Sequence, residues 1–336
     1  MPFSSLVGNE RIKRLLKRAV AEGRIGQGLI FAGQRGVGKH QFALALAQAI
    51  NCQRPEQGDA CGACDSCRRI ERKEHLDVRT ILRESQDSSV KKESRSQFIK
   101  VDQMRDMSHE AQFRPREGRR RVFIIDEAEW LREEAANSIL KTLEEPPETT
   151  LLILVTSRPY QLLETIRSRC QMLSFAPLAS SELEAYLKAN FKRPVEETRM
   201  LARLARGSIG RTLEIDLGVY REKRELMLDL VEALAIRRDT IKLMSVAEHL
   251  GRKLEKEEFE NHLDVLMVLL ADLFYLKLGE PPDSVTNSDI AAALERIAKS
   301  VTLEQITDLA DRIEQVLRSL TRNVNRQLAM EAILIA

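Results

Sequence analysis

The sequence predicts a parallel α/β domain followed by helices, and three observations carry that reading. A glycine-rich loop stands between an apolar run and an amphipathic one, at residues 33–39 (GQRGVGK). Short apolar runs alternate with stretches of helical period through the first half of the chain, the pattern of a parallel sheet joined by helical crossovers. After about Pro177 the strand-like runs stop, and the rest of the chain has helical period with breaks at Pro194, residues 207–210, Gly218 and residues 279–282.

Taken in order, residues 10–21 place Ile12, Leu15, Leu16, Ala19 and Val20 at helical spacing. Residues 28–32 form a glycine-bounded apolar run that fits a buried strand, and residues 41–50 return to a helix. Further buried strands are expected at 78–82, 121–125 and 151–156, with helices at 103–111 and 133–143. The polar stretch 83–100 is read as a loop or weak element. The expected domains are 1–176, a small helical module at 177–212, and an all-α module at 213–336.

Composition narrows the function classes. The 336 residues carry 53 Lys plus Arg against 51 Asp plus Glu, a net charge of +2, so no global basic field points to nucleic acid or anionic membrane. With only 15 Gly and 10 Pro, turn formers are scarce, which favours helices. The longest apolar run, 265–271, stops at Asp272, far short of the roughly 20 residues a bilayer requires. The N-terminus has charges where a signal peptide needs an apolar stretch. A cytoplasmic protein without a membrane partner is the expectation. The two basic clusters, Arg68, Arg69, Arg72 and Lys73, and residues 114–121, are read as solvated faces in preference to DNA contacts, because no aromatic residues interleave them and the net charge is small.

The glycine loop follows a strand and opens a helix, so its backbone N–H groups can ring phosphates while Lys39 reaches the outer ones. Gly33, Gly36, Val37, Gly38, Lys39 and His40 are its candidate binding residues. The position after the lysine normally supplies a Ser or Thr hydroxyl to Mg²⁺; here it is His40, and imidazole is a poor ligand for that hard cation. Weak or absent hydrolysis is therefore expected, and binding of ATP with Mg²⁺ stays open. Asp126 and Glu127 end the 121–125 strand, where an Asp can help hold the metal and a Glu can orient the attacking water.

Four of the five cysteines fall at Cys52, Cys61, Cys64 and Cys67, with eight, two and two residues between them. In a reducing compartment that spacing reads as a closed tetrahedral, structural Zn²⁺ site. His75 is read as a surface residue or one supporting the ligands from behind, and Cys170 as unligated.

The runs 137–147 (NSILKTLEEPP), 154–159 (LVTSRP) and 165–170 (TIRSRC), together with the cysteine spacing, resemble the bacterial DNA polymerase III clamp-loader AAA+ family. Motifs carry the resemblance over residues 1 to about 215, and helical character alone carries it beyond. Within the family the chain is most similar to the delta prime branch, on residues 156–159, the Gly207-Ser208-Ile209-Gly210-Arg211 turn, His40, and a chain ending without a long tail. The gamma/tau ATPase motor is the alternative. The resemblance implies an AAA+ P-loop domain, a helical lid at 177–212 and an all-α collar at 213–336. It implies that Arg169 is an arginine finger acting in trans on a neighbour's ATP, that Arg211 is the sensor 2 arginine, and that Thr156, beside Ser157, is sensor 1. Val7 and Gly8 lie where the family's adenine pocket begins. The implied partners are gamma/tau and delta subunits in a hetero-pentamer, the sliding clamp, and primer-template DNA reached through the assembly.

Overall fold

The computed structural model describes residues 1–83, 98–237, 240–320 and 325–335. The chain divides into two compact units, one of Met1–Tyr186 with Arg206–Leu213, the other of Leu187–Ala205 with Glu214–Ala336.

The first unit is built on five parallel strands: β1 (Gly28–Gly33), β2 (Val78–Ile81), β3 (Arg121–Ile125), β4 (Thr150–Thr156) and β5 (Gln171–Phe175), in the spatial order β2-β3-β4-β1-β5. β1 lies inside the sheet, pairing Ile30 with Leu154 on one side and Phe31 with Leu173 on the other. Because helices cover both faces, the inner strands are apolar at almost every position, which is why they read as continuous runs. The faces still separate by parity. Leu29, Phe31, Val122, Ile124, Ile153 and Val155 pack with α1 (Glu10–Ala21) and α2 (Lys39–Asn51). A further helix, α3 (Asp65–Glu71), follows the cysteine-rich segment. Ile30, Phe123, Ile125, Leu152 and Leu154 face the other way, onto Met104 and Met107 of α4 (Val101–Ala111) and the helical segment around Ile139. The short helix α5 (Ile209–Glu214) brings the chain back to this unit.

The four expected strands are present, and sequence reasoning passed over β5. It is an edge strand whose Leu173 and Phe175 point inward while Gln171 and Ser174 are exposed. Its signal is therefore alternation over five residues and not an unbroken apolar run. The helix expected at 133–143 is broken at Ile139 into Glu133–Ser138 and Leu140–Glu144. Of the polar stretch 83–100, residues 84–97 lie outside the described residues.

In the second unit, α6 (Leu217–Glu232), α7 (Lys256–Lys277), α8 (Ala291–Ser300) and α9 (Leu303–Ser319) pack around the buried side chains of Phe259, Leu263, Leu266, Leu269 and Leu273. Asp272, which interrupts the apolar run in the sequence, is 1% exposed. Its carboxylate accepts the backbone N–H groups of Thr286 at 2.8 Å and Asn287 at 2.9 Å, and the Asn287 side-chain amide at 2.7 Å. A buried carboxylate needs such donors, so Asp272 fastens the 285–287 turn onto α7. Among the described residues no helix is long and apolar enough to cross a membrane.

Candidate functional site

The loops after β1, β3 and β4 open at the carboxyl edge of the sheet, where open α/β sheets place their ligands. There they line a cleft of about 670 Å³. Val7, Gly36, Val37, Gly38, Lys39, His40, Asp126, Glu127 and Thr156 all border it, as do Ile209 and Gly210. Gly8, Gly33, Arg211 and Arg169 do not. Gly8 and Gly33 have other duties. Gly8 has φ +72° and a Cβ there would fall 1.9 Å from Leu178 Cδ2; one on Gly33 would fall 2.5 Å from the Phe175 carbonyl oxygen.

The phosphate loop turns its carbonyls inward, and those of residues 33–36 are all engaged. Lys39 Nζ donates to Gly33 O at 2.7 Å and to Gln34 O at 2.8 Å. Ser208 Oγ donates to Arg35 O at 3.0 Å, and Gly210 N to Gly36 O at 3.0 Å. The segment before and within α5 thus sits directly on the loop. Burial pulls the Lys39 ammonium below its ordinary value, against the attraction of Glu129 and Asp126.

His40 Nδ1 lies 3.1 Å from Asp126 Oδ2, close enough to pair with that carboxylate. Asp126 Oδ1 accepts the Glu127 N–H at 2.9 Å. Burial works against the Asp126 carboxylate, but His40, that N–H and Lys39 together hold it below the usual range. Mg²⁺ does not fit this donor pair: it demands oxygen ligands in tight octahedral array, and the hydroxyl that would supply one is replaced by a ring nitrogen.

Glu127, the residue expected to orient water, is turned aside. It has φ +50°, and its carboxylate accepts Arg83 Nε at 2.7 Å while Arg83 also stacks over Trp130, 5.0 Å from the ring centre. Glu129, which sequence reasoning missed, lines the same cleft. It accepts the Ser157 hydroxyl at 2.5 Å and the Ser157 N–H at 3.2 Å. Burial opposes its ionisation, yet the Ser157 hydroxyl and neighbouring donors hold it below the usual carboxylate range. A second acidic residue two positions after Glu127 was the available signal.

Arg169 is exposed on the segment entering β5. Its guanidinium pairs with Glu144 at 2.8 Å and donates to Thr165 O at 3.0 Å. Arg211 is half-buried, and its backbone N–H donates to Ser208 Oγ at 3.1 Å. Burial pushes the thiol of Cys170, next to Arg169 in the chain, up to about 12.

The four remaining cysteines converge, with their sulfurs all within 4.8 Å of one another and Cys52 and Cys64 Sγ 4.0 Å apart. Thiolates about 2.3 Å from a tetrahedral ion stand roughly 3.8 Å apart, so this cluster can hold a metal ion. Backbone N–H groups already point at the sulfurs, Cys61 N to Cys52 Sγ and Cys64 N to Cys61 Sγ, each at 3.3 Å. The surrounding fold fixes the segment: Asp59 accepts Phe3 N at 2.8 Å and Ser4 N at 3.0 Å, and Gln48 Nε2 donates to Cys67 O at 2.7 Å.

Two sequence expectations are corrected nearby. His75 is not a surface residue: it is 5% exposed, and burial pulls its imidazole pKa down. Nor is 114–121 a solvated basic face throughout. Asp77 accepts Arg116, Glu117 and Gly118 N–H groups, each at 2.8 Å, and lies 3.4 Å from the Arg121 guanidinium. Arg120 donates to the carbonyls of Glu148 and Ile25. Those charges serve the fold.

The chain is similar to known proteins over nearly its whole length. The family model described as DNA polymerase III, delta subunit, matches residues 8–179, and its C-terminal counterpart matches residues 222–336. DNA polymerase III subunit delta' of Bacillus subtilis is 28% identical over 97% of this chain and 94% of its own length. The Escherichia coli subunit delta' is 27% identical over 95% and 92%. The E. coli subunit tau is 32% identical over 73% of this chain, which spans 37% of tau. Matched over half its length by the first of these models and in its helical region by the second, the chain belongs to the DNA polymerase III delta-subunit family.

Proposed function

We propose that this chain is the delta prime-type, non-motor subunit of a clamp loader, acting in a hetero-pentamer with gamma/tau and delta subunits to place a sliding clamp on primed DNA. Its role toward ATP is to give Arg169 to the site of a neighbouring subunit, where a planar guanidinium stabilises charge on the transferring phosphoryl group. The observation that carries this reading is that Arg169 is exposed and does not line the chain's own cleft. Two others support it. His40 stands where hydrolysis needs a metal-ligating hydroxyl, and Glu127 is held by Arg83. The end-to-end match to delta' relatives, against the partial match to tau, points the same way.

In this reading residues 177–212 serve as the lid, residues 213–336 as the collar, and Arg211 is the lid's phosphate sensor, with Thr156 the sensor on β4. ATP is held by the 33–40 loop without efficient turnover. The metal in the cysteine cluster is structural zinc, since four thiolates leave no open position for catalysis.

The test is Arg169→Ala in a reconstituted loader. The Arg169–Glu144 pair is exposed on both sides, so its loss changes the stability of the isolated chain by about 1 kcal/mol at most. DNA-stimulated ATPase of the assembly should fall on the order of 10³-fold. Unchanged ATPase in a correctly assembled mutant loader overturns the proposal.

A further inference from the structure

One wall of the cleft is a strap fastened to the cysteine-rich segment. Ser5, Leu6 and Val7 line the cleft from the stretch of chain ahead of α1. Beyond them the strap is tied at Asn9, whose side chain accepts Ala176 N at 2.9 Å and donates to Ala176 O at 3.1 Å. Before them it is tied at Asp59. That carboxylate accepts Phe3 N at 2.8 Å, Ser4 N at 3.0 Å and Ala60 N at 2.8 Å, and it stands 3.4 Å from Lys17 Nζ on α1. Asp59 is 6% exposed, and a buried charge with three backbone donors is a firm attachment. Phe3, seated by those bonds, packs its ring 6.2 Å from that of Phe42, which also lines the cleft. Lys13 on α1 gives the strap a further hold at Leu6 O, but α1 rests on the same cysteine-rich segment: a Cβ on Gly58 would fall 1.9 Å from Lys17 O.

Asp59 is in turn held by the fold of residues 52–64 (CQRPEQGDACGAC). Besides its cysteines this stretch has only two alanines and one proline as apolar side chains. Its local turn is closed by two backbone bonds, Glu56 N to Asp59 O at 3.0 Å and Asp59 N to Glu56 O at 2.8 Å. Ordering such an irregular stretch costs backbone entropy at every residue, and so little apolar surface does not offset it. Ligation by the four converging thiolates supplies the missing free energy, as it does in small domains that fold only around a metal.

We infer that the metal state of the cysteine cluster regulates the cleft. With the metal in place Asp59 holds the strap, and residues 5–7 complete the wall of the nucleotide site; without it the strap lets go and the site loses that wall. The inference rests on the reading that the 33–40 loop holds ATP, and it is independent of Arg169.

The test compares the full-length chain carrying one zinc ion with the same chain stripped by a chelator under reducing conditions, both well below the melting temperature. Hydrogen exchange at the Phe3 and Ser4 amides should quicken roughly tenfold or more on stripping, while Leu152, Ile153 and Leu154 of β4 stay protected. Affinity for a fluorescent ATP analogue should fall roughly tenfold or more and recover when zinc is returned, because only chains with the wall in place are competent to bind. Asp59→Asn should keep its zinc yet show the fast exchange and weak binding even when loaded, an outcome that a role confined to metal retention does not produce. Unchanged exchange at Phe3 and Ser4 overturns the inference, as does a zinc-loaded Asp59→Asn chain that behaves like the wild type. Protection lost in β4 together with the strap overturns it too, since the metal would then be holding up the whole unit. Equal analogue affinity in the loaded and stripped chains overturns this inference alone, whereas an analogue that binds neither form overturns the ATP reading along with it.

Discussion

Replacing Gly210 with Ala sets two physical effects against each other, and their sizes decide the sign. Gly210 lies in α5 with no positive φ, so helix propensity alone makes the substitution stabilising by up to about 1 kcal/mol. The added Cβ, however, would fall 2.9 Å from Gly36 Cα and 3.4 Å from Gly36 O. Those are backbone atoms of the phosphate loop, itself held at φ +77° at Gly36, and cannot swing aside as a side chain would. Pushing α5 away lengthens the Gly210 N to Gly36 O bond of 3.0 Å, worth about 1 kcal/mol net. Overpacking at a close contact costs roughly 1–3 kcal/mol more. The net is a loss of about 1–3 kcal/mol. Urea unfolding followed through Trp130, the single tryptophan and a wall of the same cleft, reads the first unit directly. Gly26→Ala, where an added Cβ meets nothing within 4 Å, is the control. A Gly210→Ala chain as stable as the wild type, or more so, would refute the claim that α5 rests on the loop.

Three other perturbations have outcomes set by the same contacts. Asp77→Asn leaves an amide N–H₂ facing backbone donors and strips Arg121 of its nearby charge, so stability at neutral pH should drop by about 3 kcal/mol in urea unfolding. Although burial works against the Asp77 carboxylate, the Arg116, Glu117 and Gly118 N–H groups and Arg121 depress its folded pKa. Its contribution is therefore complete above its ordinary pKa and is lost as pH falls through the lower folded value; below about pH 4 the wild type should lose stability more steeply than the mutant. Removing metal from the cysteine cluster with a strong chelator, or by Cys64→Ser, should release the 52–67 segment and with it the docking of Phe3 and Ser4 on Asp59. Metal content near one ion per chain should vanish with a large fall in Tm, and an unchanged Tm would show the cluster to be idle. Finally, His40→Ser alone should leave phosphate release by the isolated chain near background in Mg²⁺, because Glu127 still rests on Arg83; release should rise only when Arg83→Ala is added.

Much of this molecule is legible in the sequence because its signals are local. Strands buried on both faces leave unbroken apolar runs, and a glycine loop between a strand and a helix announces itself by order alone. Four cysteines within a short stretch need no tertiary knowledge to be grouped. What escaped was set by distant partners. β5 has half its residues in water, so its only mark is a brief alternation. His75 and Arg121 look like surface residues until Asp77 and the 116–118 backbone close over them. Glu129 becomes part of the cleft only because the positive φ of Glu127 turns the chain there, bringing Glu129 to Ser157 at the end of β4.

On the proposed reading, the cleft keeps a phosphate cradle while lacking the groups for hydrolysis. Cradling depends on backbone N–H groups, and these are fixed by the loop's glycines and by the carbonyl bonds to Lys39, Ser208 and Gly210 on its other side. Altering the metal ligand or the water-orienting acid disturbs none of those bonds. Hydrolysis, by contrast, would need a hydroxyl at position 40 and an unpaired carboxylate at 127, whereas the chain has an imidazole beside Asp126 at the first and pairs the second with Arg83. The two functions therefore lie on separable sets of atoms. Arg169 belongs to neither set, since it stands outside the cleft and, among the described residues, shares its charge with an exposed Glu144 and the Thr165 and Ser168 oxygens. An arginine so weakly held can leave those partners for a polyphosphate at little cost, because surface pairs of this kind are worth about 1 kcal/mol or less while charge-assisted bonds to phosphate are worth more.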